Sequence, residues 1–464
     1  MSKIYDINQL SEKRKKVKSL TFQILKLVKE RTKLAKEIGD IKKGLDFPIE
    51  DIKVETDLKK DVIEECKNLG IDVSLGLKIL SLLIQESIKV EKEEREVSLP
   101  QLIKEAKEIE KKGEKVIHLE IGELDFNPLN EALKGIEEGL RLNLYKYSDE
   151  KGELELRQRL AEHFNDLYLL DLKEDNVIIT PGGRFALYLV FKALLNLGEE
   201  VIGFGPFYPP YKKISELEGA RFLAIETDLE SKWSPNLELL NKCLSKITKL
   251  IILNYPNNPT GKILEPSELK SIVDLARERE VYVVNDEVYS DFVFEKNFKS
   301  LLSFDYKNSI IVSSFSKSFA MSGFRIGYII SKRKEIIDRL SKLQGLLITC
   351  MPPFIQYSAL RVLEAKKEVG KFVEEIKGRA KETCKRLKEL PLSFYEPDGG
   401  LYIFPRIEKE YDSDLFVRNM LYKHKVALAS GKNFGNYPKY FRLSLCEPRE
   451  KIIEGIERMR EELE

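Results

Sequence analysis

Apolar positions follow two different rhythms along this chain, and the change comes near residue 100. From residue 7 to residue 43 they recur at helical spacing over an unusual length. Leu10, Val17, Ile24 and Ile38 fall on one heptad track, and Leu20, Leu27, Leu34 and Ile41 on the other. Such a helix spans roughly 50 Å, more than a small domain covers by itself, so its seam is expected to pack against a partner chain. Gly44-Leu45-Asp46-Phe47-Pro48 breaks the pattern. Shorter helical patterns follow over about 55–68 and 74–94, parted by Gly70-Ile71-Asp72. Three helices and no strands predict a small all-α module over residues 1–95, with 96–100 (including Val97-Ser98-Leu99-Pro100) as a linker.

Beyond Pro100 the period shortens and alternates. Apolar strand candidates lie at 176–180, 200–203, 250–254, 281–285 and 310–314, with helical segments such as 183–197, 266–279 and 332–345 between them. That alternation predicts a parallel-rich sheet covered by helices on both faces. The expected division is a large α/β domain over about 140–350 and a smaller α+β domain from about 101–139 plus 356–464. Residues that carry chemistry should then follow the carboxyl ends of strands.

Composition narrows the class. The chain has 464 residues, 42% hydrophobic and 33% charged, with a formal net charge of +1, which describes a globular protein with no bias toward nucleic acid or membrane. Met1-Ser2-Lys3-Ile4-Tyr5-Asp6 lacks the apolar core of a signal peptide, and no apolar run approaches the ~18 residues of a membrane span, so a cytoplasmic protein is expected. The five cysteines and three histidines are scattered without metal-ligand spacing, so no metal is expected.

Three short signatures carry candidate chemistry. Lys317 ends Ser313-Ser314-Phe315-Ser316-Lys317, with Arg325 eight residues on; Asn257-Asn258-Pro259-Thr260-Gly261 and Asp286-Glu287-Val288-Tyr289 precede it. A lysine after a hydroxyl-rich turn, an acid after an apolar strand and an asparagine in a Pro/Gly turn together describe a site for pyridoxal phosphate (PLP). Thr180-Pro181-Gly182-Gly183-Arg184 opens a helix and offers free N–H groups to a phosphate.

With these motifs, residues 101–464 resemble the fold-type I, class I aminotransferases. The resemblance implies PLP bound covalently at Lys317, with Asp286 holding the ring nitrogen protonated. Asn258 and Tyr289 are implied on the phenolic oxygen, and Tyr208, in Pro206-Phe207-Tyr208-Pro209, stacked on the ring. Gly183, Ser314, Ser316 and Arg325 are implied on the phosphate, with Tyr147 reaching it from a neighbouring subunit, so a homodimer is expected. Arg442 is implied on the substrate α-carboxylate, and Gly122 in the loop that lets backbone approach it. Two positions depart from the family pattern: Leu124 stands where proline is usual, and Arg184 where a small residue or lysine is commoner. Arg184 is read either as a solvated charge or as an extra cation for an acidic side chain or the phosphate.

The first helix carries an anomaly: Arg31 occupies a seam position between Ile24 and Ile38, and a guanidinium there needs a polar partner. One reading is a dimerisation element with a satisfied arginine. With Glu12-Lys13-Arg14, Glu30-Arg31-Thr32-Lys33-Leu34-Ala35, Ile38-Gly39-Asp40-Ile41-Lys42 and Ile84-Gln85-Glu86-Ser87, residues 1–95 also resemble the AroQ class of chorismate mutase. That resemblance implies an interlocked dimer. Arg31, Ser87 and the partner's Arg14 would sit on substrate carboxylates, Lys42 and Glu91 on the ether oxygen, and Asp51 and Glu55 near the ring hydroxyl. Val54 stands where the family usually places an arginine. Glu91 donates only when protonated, so a mutase rate declining with rising pH is expected.

Together the two resemblances imply aromatic amino-acid biosynthesis. Chorismate would become prephenate in one unit, and prephenate or an aromatic 2-oxo acid would be transaminated with glutamate or aspartate in the other. The alternative is a broad aspartate aminotransferase whose helical module binds a ligand or assembles the dimer. A PLP-dependent lyase or decarboxylase is the third reading.

Overall fold

The computed structural model describes residues 2–44, 50–91 and 98–463, and side chains over 8–42, 50–89 and 98–463. The chain divides into two compact units, Met1–Arg95 and Glu96–Glu464.

The first unit is built from three helices, α1 (Ser2–Gly44), α2 (Ile52–Leu69) and α3 (Val73–Glu91). At 1.5 Å per residue α1 is about 65 Å long. Its end at Gly44 is the start of the helix-breaking segment; Leu45, Asp46, Phe47 and Pro48 lie outside the described residues. Asp51 caps α2, its carboxylate accepting from the backbone N–H groups of Lys53 and Val54. Gly70 ends α2 in the left-handed conformation. α3 packs against both other helices, burying Leu77, Leu80 and Ile84, with Cys66 of α2 and Ala35 of α1. The two heptad tracks of α1 stay uncovered: Val17, Ile24, Leu27 and Ile41 are each more than 60% exposed.

In the second unit a helix, α4 (Leu99–Lys111), begins inside the stretch 96–100 that composition marks as linker. Ser98 precedes it, and Pro100 fits because the first helical turn has no intrahelical use for its N–H. Strand β1 (Ile117–His118) follows. The main sheet has seven strands: β2 (Val177–Thr180), β3 (Glu200–Gly205), β4 (Arg221–Glu226), β5 (Thr248–Asn254), β6 (Tyr282–Asp286), β7 (Ser309–Ser314) and β8 (Gly327–Ser331). Their order is β2-β8-β7-β6-β5-β3-β4, parallel throughout except for β8, which runs antiparallel to both neighbours. The strand candidates read from the sequence miss β4 and β8. β4 carries Arg221 and Glu226 at its ends, and β8 is a short apolar run that starts at Gly327, two residues beyond Arg325. Strands β2, β3 and β7 are buried at every position, which is what helices on both faces require.

A second apolar core joins the two ends of this unit. It gathers Leu102 and Ala106 of α4 with Leu119, Phe416, Phe441 and Ile452. Strands β5, β6 and β7 end at Asn254, Asp286 and Ser314, so their carboxyl ends and this second core deliver side chains to one crevice. No helix among the described residues is long and apolar enough to cross a membrane.

Candidate functional site

The crevice holds a cavity of about 570 Å³ lined by Gly122, Gly183, Arg184, Tyr208, Asn258, Asp286, Tyr289, Ser314, Ser316, Lys317, Arg325 and Arg442. Every residue the sequence reading assigns to the cofactor or its substrate lines this cavity, with the exception of Tyr147. That side chain is 88% exposed.

Lys317 sits in the single turn Phe315–Ser318 that follows β7, and its Nζ donates to the Gly122 carbonyl. Burial lowers its pKa, so the amine is more readily neutral than a surface lysine. Asp286 ends β6; Oδ2 accepts from Tyr211 Oη at 2.8 Å and Oδ1 from the Val288 N–H at 3.3 Å. Burial pushes its carboxyl up to about 6, against those hydrogen bonds and the attraction of Lys317. Asn254 Nδ2 donates to the Asp286 carbonyl, and Asn254 Oδ1 accepts from the Asn258 N–H, each at 2.9 Å. The end of β5 therefore sets the asparagine turn beside the acid.

Asn258 Nδ2 donates to Tyr289 Oη at 3.4 Å, and Tyr289 and Tyr402 share a hydroxyl contact of 3.0 Å. Arg442 Nη1 donates to Asn258 Oδ1 at 2.9 Å, and Nη2 to the Glu120 carbonyl. The guanidinium lies 4.3 Å from the Tyr402 ring centroid and 4.9 Å from that of Phe434. Arg442 is 3% exposed, and its Nε has no hydrogen-bond partner among the described residues. An arginine so placed is built to meet an anion.

At the opposite side, Gly182 opens the helix Gly182–Leu194 with a φ of +78°, and a Cβ there would lie 2.7 Å from Arg325 Nη2. The positive φ favours glycine there, and its missing Cβ lets the arginine close over that helix start. Ser314 Oγ accepts from the Ser316 N–H at 3.3 Å. Arg184 Nη2 donates to Tyr208 Oη at 2.6 Å, its guanidinium 5.9 Å from that ring. Arg184 is exposed, as its solvated reading has it, and its side chain also lines the cavity.

Sequence reading missed Tyr211, Asn254 and Tyr402. Tyr211 lies one turn beyond Tyr208, a spacing that was available as a signal; Tyr402 had none, because its partners are far away in sequence. Gly122 needs Tyr402 to explain it, since a Cβ there would lie 1.7 Å from the Tyr402 hydroxyl.

This donor set fits PLP. A helix start, two serines and an arginine suit a phosphate; a buried acid suits a protonated ring nitrogen; Lys317 stands between them.

In the helical unit, Arg31 Nη1 donates to Ser87 Oγ at 2.6 Å and to the Leu83 carbonyl at 2.7 Å. The seam arginine is thus half-buried, and these two acceptors are neutral. Arg14 is exposed and lies seventeen residues, about 25 Å, from Arg31 along the same helix, so it does not reach that site within one chain. Lys42 and Glu55 are half-buried, Asp51 caps α2 through Oδ1, and Val54 is 62% exposed. Glu91 ends α3, and its side chain lies outside the described residues.

The family model for aminotransferase class I and II matches residues 114–459. The chain belongs to that family. A second model, chorismate mutase type II, matches residues 13–92, which gives the helical unit as a chorismate mutase domain. The aminotransferase part is 36% identical to the (5-formylfuran-3-yl)methyl phosphate transaminase of Methanocaldococcus jannaschii, over 77% of this chain and 94% of that one. It is 32% identical to a probable aspartate/prephenate aminotransferase of Aquifex aeolicus, over 77% and 94% respectively. The crystal structure of the Thermotoga maritima aspartate aminotransferase superimposes with a TM-score of 0.76 at 33% identity, covering 79% of this chain and 97% of that one.

Proposed function

We propose that the two domains catalyse linked reactions: chorismate to prephenate in the helical unit, and PLP-dependent transfer of an amino group from glutamate or aspartate to prephenate or an aromatic 2-oxo acid in the other. The observation that carries this reading is the union in one chain of a chorismate mutase domain and an aminotransferase domain, each with an arginine poised for a carboxylate.

Chorismate is a dianion that rearranges without cofactor or covalent intermediate, so catalysis comes from holding its reactive conformer and meeting charge on the breaking ether oxygen. Arg31 and Ser87 supply one carboxylate contact. Arg14 of a second copy supplies another, Lys42 and Glu91 serve the ether oxygen, and Asp51 and Glu55 lie toward the ring hydroxyl. Dimerisation through the exposed seam of α1 brings the two copies together.

In the other unit, PLP supplies an aldehyde that takes the amino group and a protonated ring that accepts electron density. Asp286 holds the proton on that ring nitrogen, with Tyr211 fixing the acid. Asn258 and Tyr289 hold the phenolic oxygen, and Tyr208 covers the ring. Gly183, Ser314, Ser316 and Arg325 hold the phosphate, joined by Tyr147 from a second subunit. Arg442 binds the substrate α-carboxylate beside the backbone of Gly122. Lys317, its pKa lowered by burial, moves the proton at the substrate Cα. Arg184 on the cavity wall serves a second carboxylate, which the dicarboxylic donors carry.

The test gives the PLP-loaded protein chorismate plus glutamate and follows the products by chromatography with mass detection. Loss of chorismate with appearance of arogenate supports the full proposal and names prephenate as acceptor. The position of Val54 favours a second reading, a broad aspartate aminotransferase whose module binds rather than converts its ligand. Persistence of chorismate, with glutamate still bleaching the PLP absorbance, would establish that reading.

A further inference from the structure

We propose that Arg379, remote from the motifs of the cavity, is a positioning residue that sets the spacing between the Gly122 loop and the Arg442 strand; the inference rests on reading that cavity as the transamination site. Arg379 lies on the helix Val369–Leu387 and is 4% exposed. Its Nη1 and Nη2 grip the Asp125 carboxylate at 2.8 and 3.1 Å. Nη1 also donates to the carbonyls of Leu445 at 3.3 Å and Glu447 at 2.6 Å, and Nε donates to Glu375 at 3.0 Å. The guanidinium lies 4.9 Å from the Phe126 ring centroid, and Phe126 stacks on Phe372 at 4.7 Å. One planar group therefore joins three stretches of chain.

Two of those stretches carry the substrate-facing groups, at the same offset. Gly122, whose carbonyl accepts from Lys317, lies three residues before Asp125. Arg442 lies three residues before Leu445 and donates back to the Glu120 carbonyl. The Asp125 N–H donates to the Cys446 carbonyl at 3.0 Å, so loop and strand exit already touch, and Arg379 clamps both from behind. At the other end of the loop, the Leu119 N–H donates to the Ala427 carbonyl and the Ser444 N–H to the Leu119 carbonyl. Residues 120–124 thus run between two anchors, with Arg442 on the Glu120 carbonyl, Lys317 on the Gly122 carbonyl and Ser322 on the Glu123 carboxylate between them, and the anchor at Asp125 is the one that Arg379 reinforces. Neither Arg379 nor Asp125 lines the cavity among the described residues. The clamp acts on the place where a carboxylate binds, and not on the phosphate side. Lysine cannot replace it, since a point charge does not span a carboxylate and two carbonyls at once.

The experiment uses the PLP-loaded full chain and compares Arg379→Met, Arg379→Lys, Asp125→Asn and the double variant Arg379→Met/Asp125→Asn. For each, kcat and KM for glutamate, PLP content, melting temperature and chorismate loss are measured. The expected result is a KM raised about tenfold or more with kcat within about threefold, PLP content and chorismate loss unchanged, no rescue by lysine, and a double variant no worse than either single. An unchanged KM overturns the proposal. So does a joint fall of kcat, PLP content and melting temperature at constant KM, which is a general structural role. If Arg379→Met does not fold, Asp125→Asn, the less buried partner, decides by the same KM criterion. The dissociation constant for 2-oxoglutarate, read from the cofactor absorbance, carries the same comparison should the wild type transfer no amino group, so failure of transamination and failure of the clamp give different results.

Discussion

The helical unit and the aminotransferase unit solve the problem of building a site in opposite ways. The larger unit draws Asp286 and Arg442 from two strands, and Asn258 and Lys317 from the segments that follow two others, and gathers them in one crevice within a single chain. The helical unit brings Arg31 to Ser87, but it leaves Arg14 about 25 Å away and the α1 seam open. A domain with a sheet covered on both faces has enough interior to assemble a site alone. Three helices, one of them about 65 Å long, leave the α1 seam exposed, and the proposed mutase site calls on a second copy to cover that seam and to supply Arg14. In the larger unit Tyr147 is the corresponding outlier, 88% exposed and not among the residues that line the cavity.

The comparison breaks most clearly at Lys317. Lys317→Ala should lower transamination by about 10⁴-fold while chorismate loss stays at the wild-type rate. A parallel fall in chorismate loss would show that the two sites are not independent. Arg31→Ala is the mirror experiment: chorismate turnover should drop about 10²- to 10³-fold with the glutamate half-reaction unchanged. Dependence on a second copy is tested at the seam. Leu20→Glu with Leu27→Glu removes apolar contacts worth about 1.5–3 kcal/mol each, so chorismate turnover should fall at least tenfold while transamination remains. Full mutase activity in that variant would mean that the seam is not the interface.

The smallest effect is a pH dependence. Asp286, raised to about 6 by burial, attracts a protonated ring nitrogen only when ionised. PLP uptake by the cofactor-free protein should therefore hold above pH 6 and weaken about tenfold per unit below it. Asp286→Asn should bind weakly at every pH and lose that dependence. Equilibrium titrations followed by cofactor absorbance would read both.

Legibility from the sequence followed range. The three helices of the first unit, the helices near 183–197, 266–279 and 332–345, five of the seven sheet strands and the motifs at Asn258, Asp286 and Lys317 were readable, because periodicity and turn chemistry act over a few residues. β4 and β8 escaped, and so did α4, which begins at Leu99 inside the stretch read as linker. In each case local composition pointed weakly, and packing decided. Arg31 was legible as an anomaly in its track, but its acceptors were not, since a backbone carbonyl such as that of Leu83 has no signature in sequence.

By itself, then, the sequence determined five of the sheet strands and the long helical patterns, where the chain changes from helical bundle to covered sheet, and which residue types follow the ends of β5, β6 and β7. The tertiary structure alone decided how these groups meet. Arg442 and Glu120 are 322 residues apart, Lys317 and Gly122 are 195 apart, and Arg379 reaches Asp125 across 254. No local preference encodes such contacts. They follow from burying two apolar cores at once, and a buried guanidinium or lysine then settles on the polar partners that this burial leaves within reach.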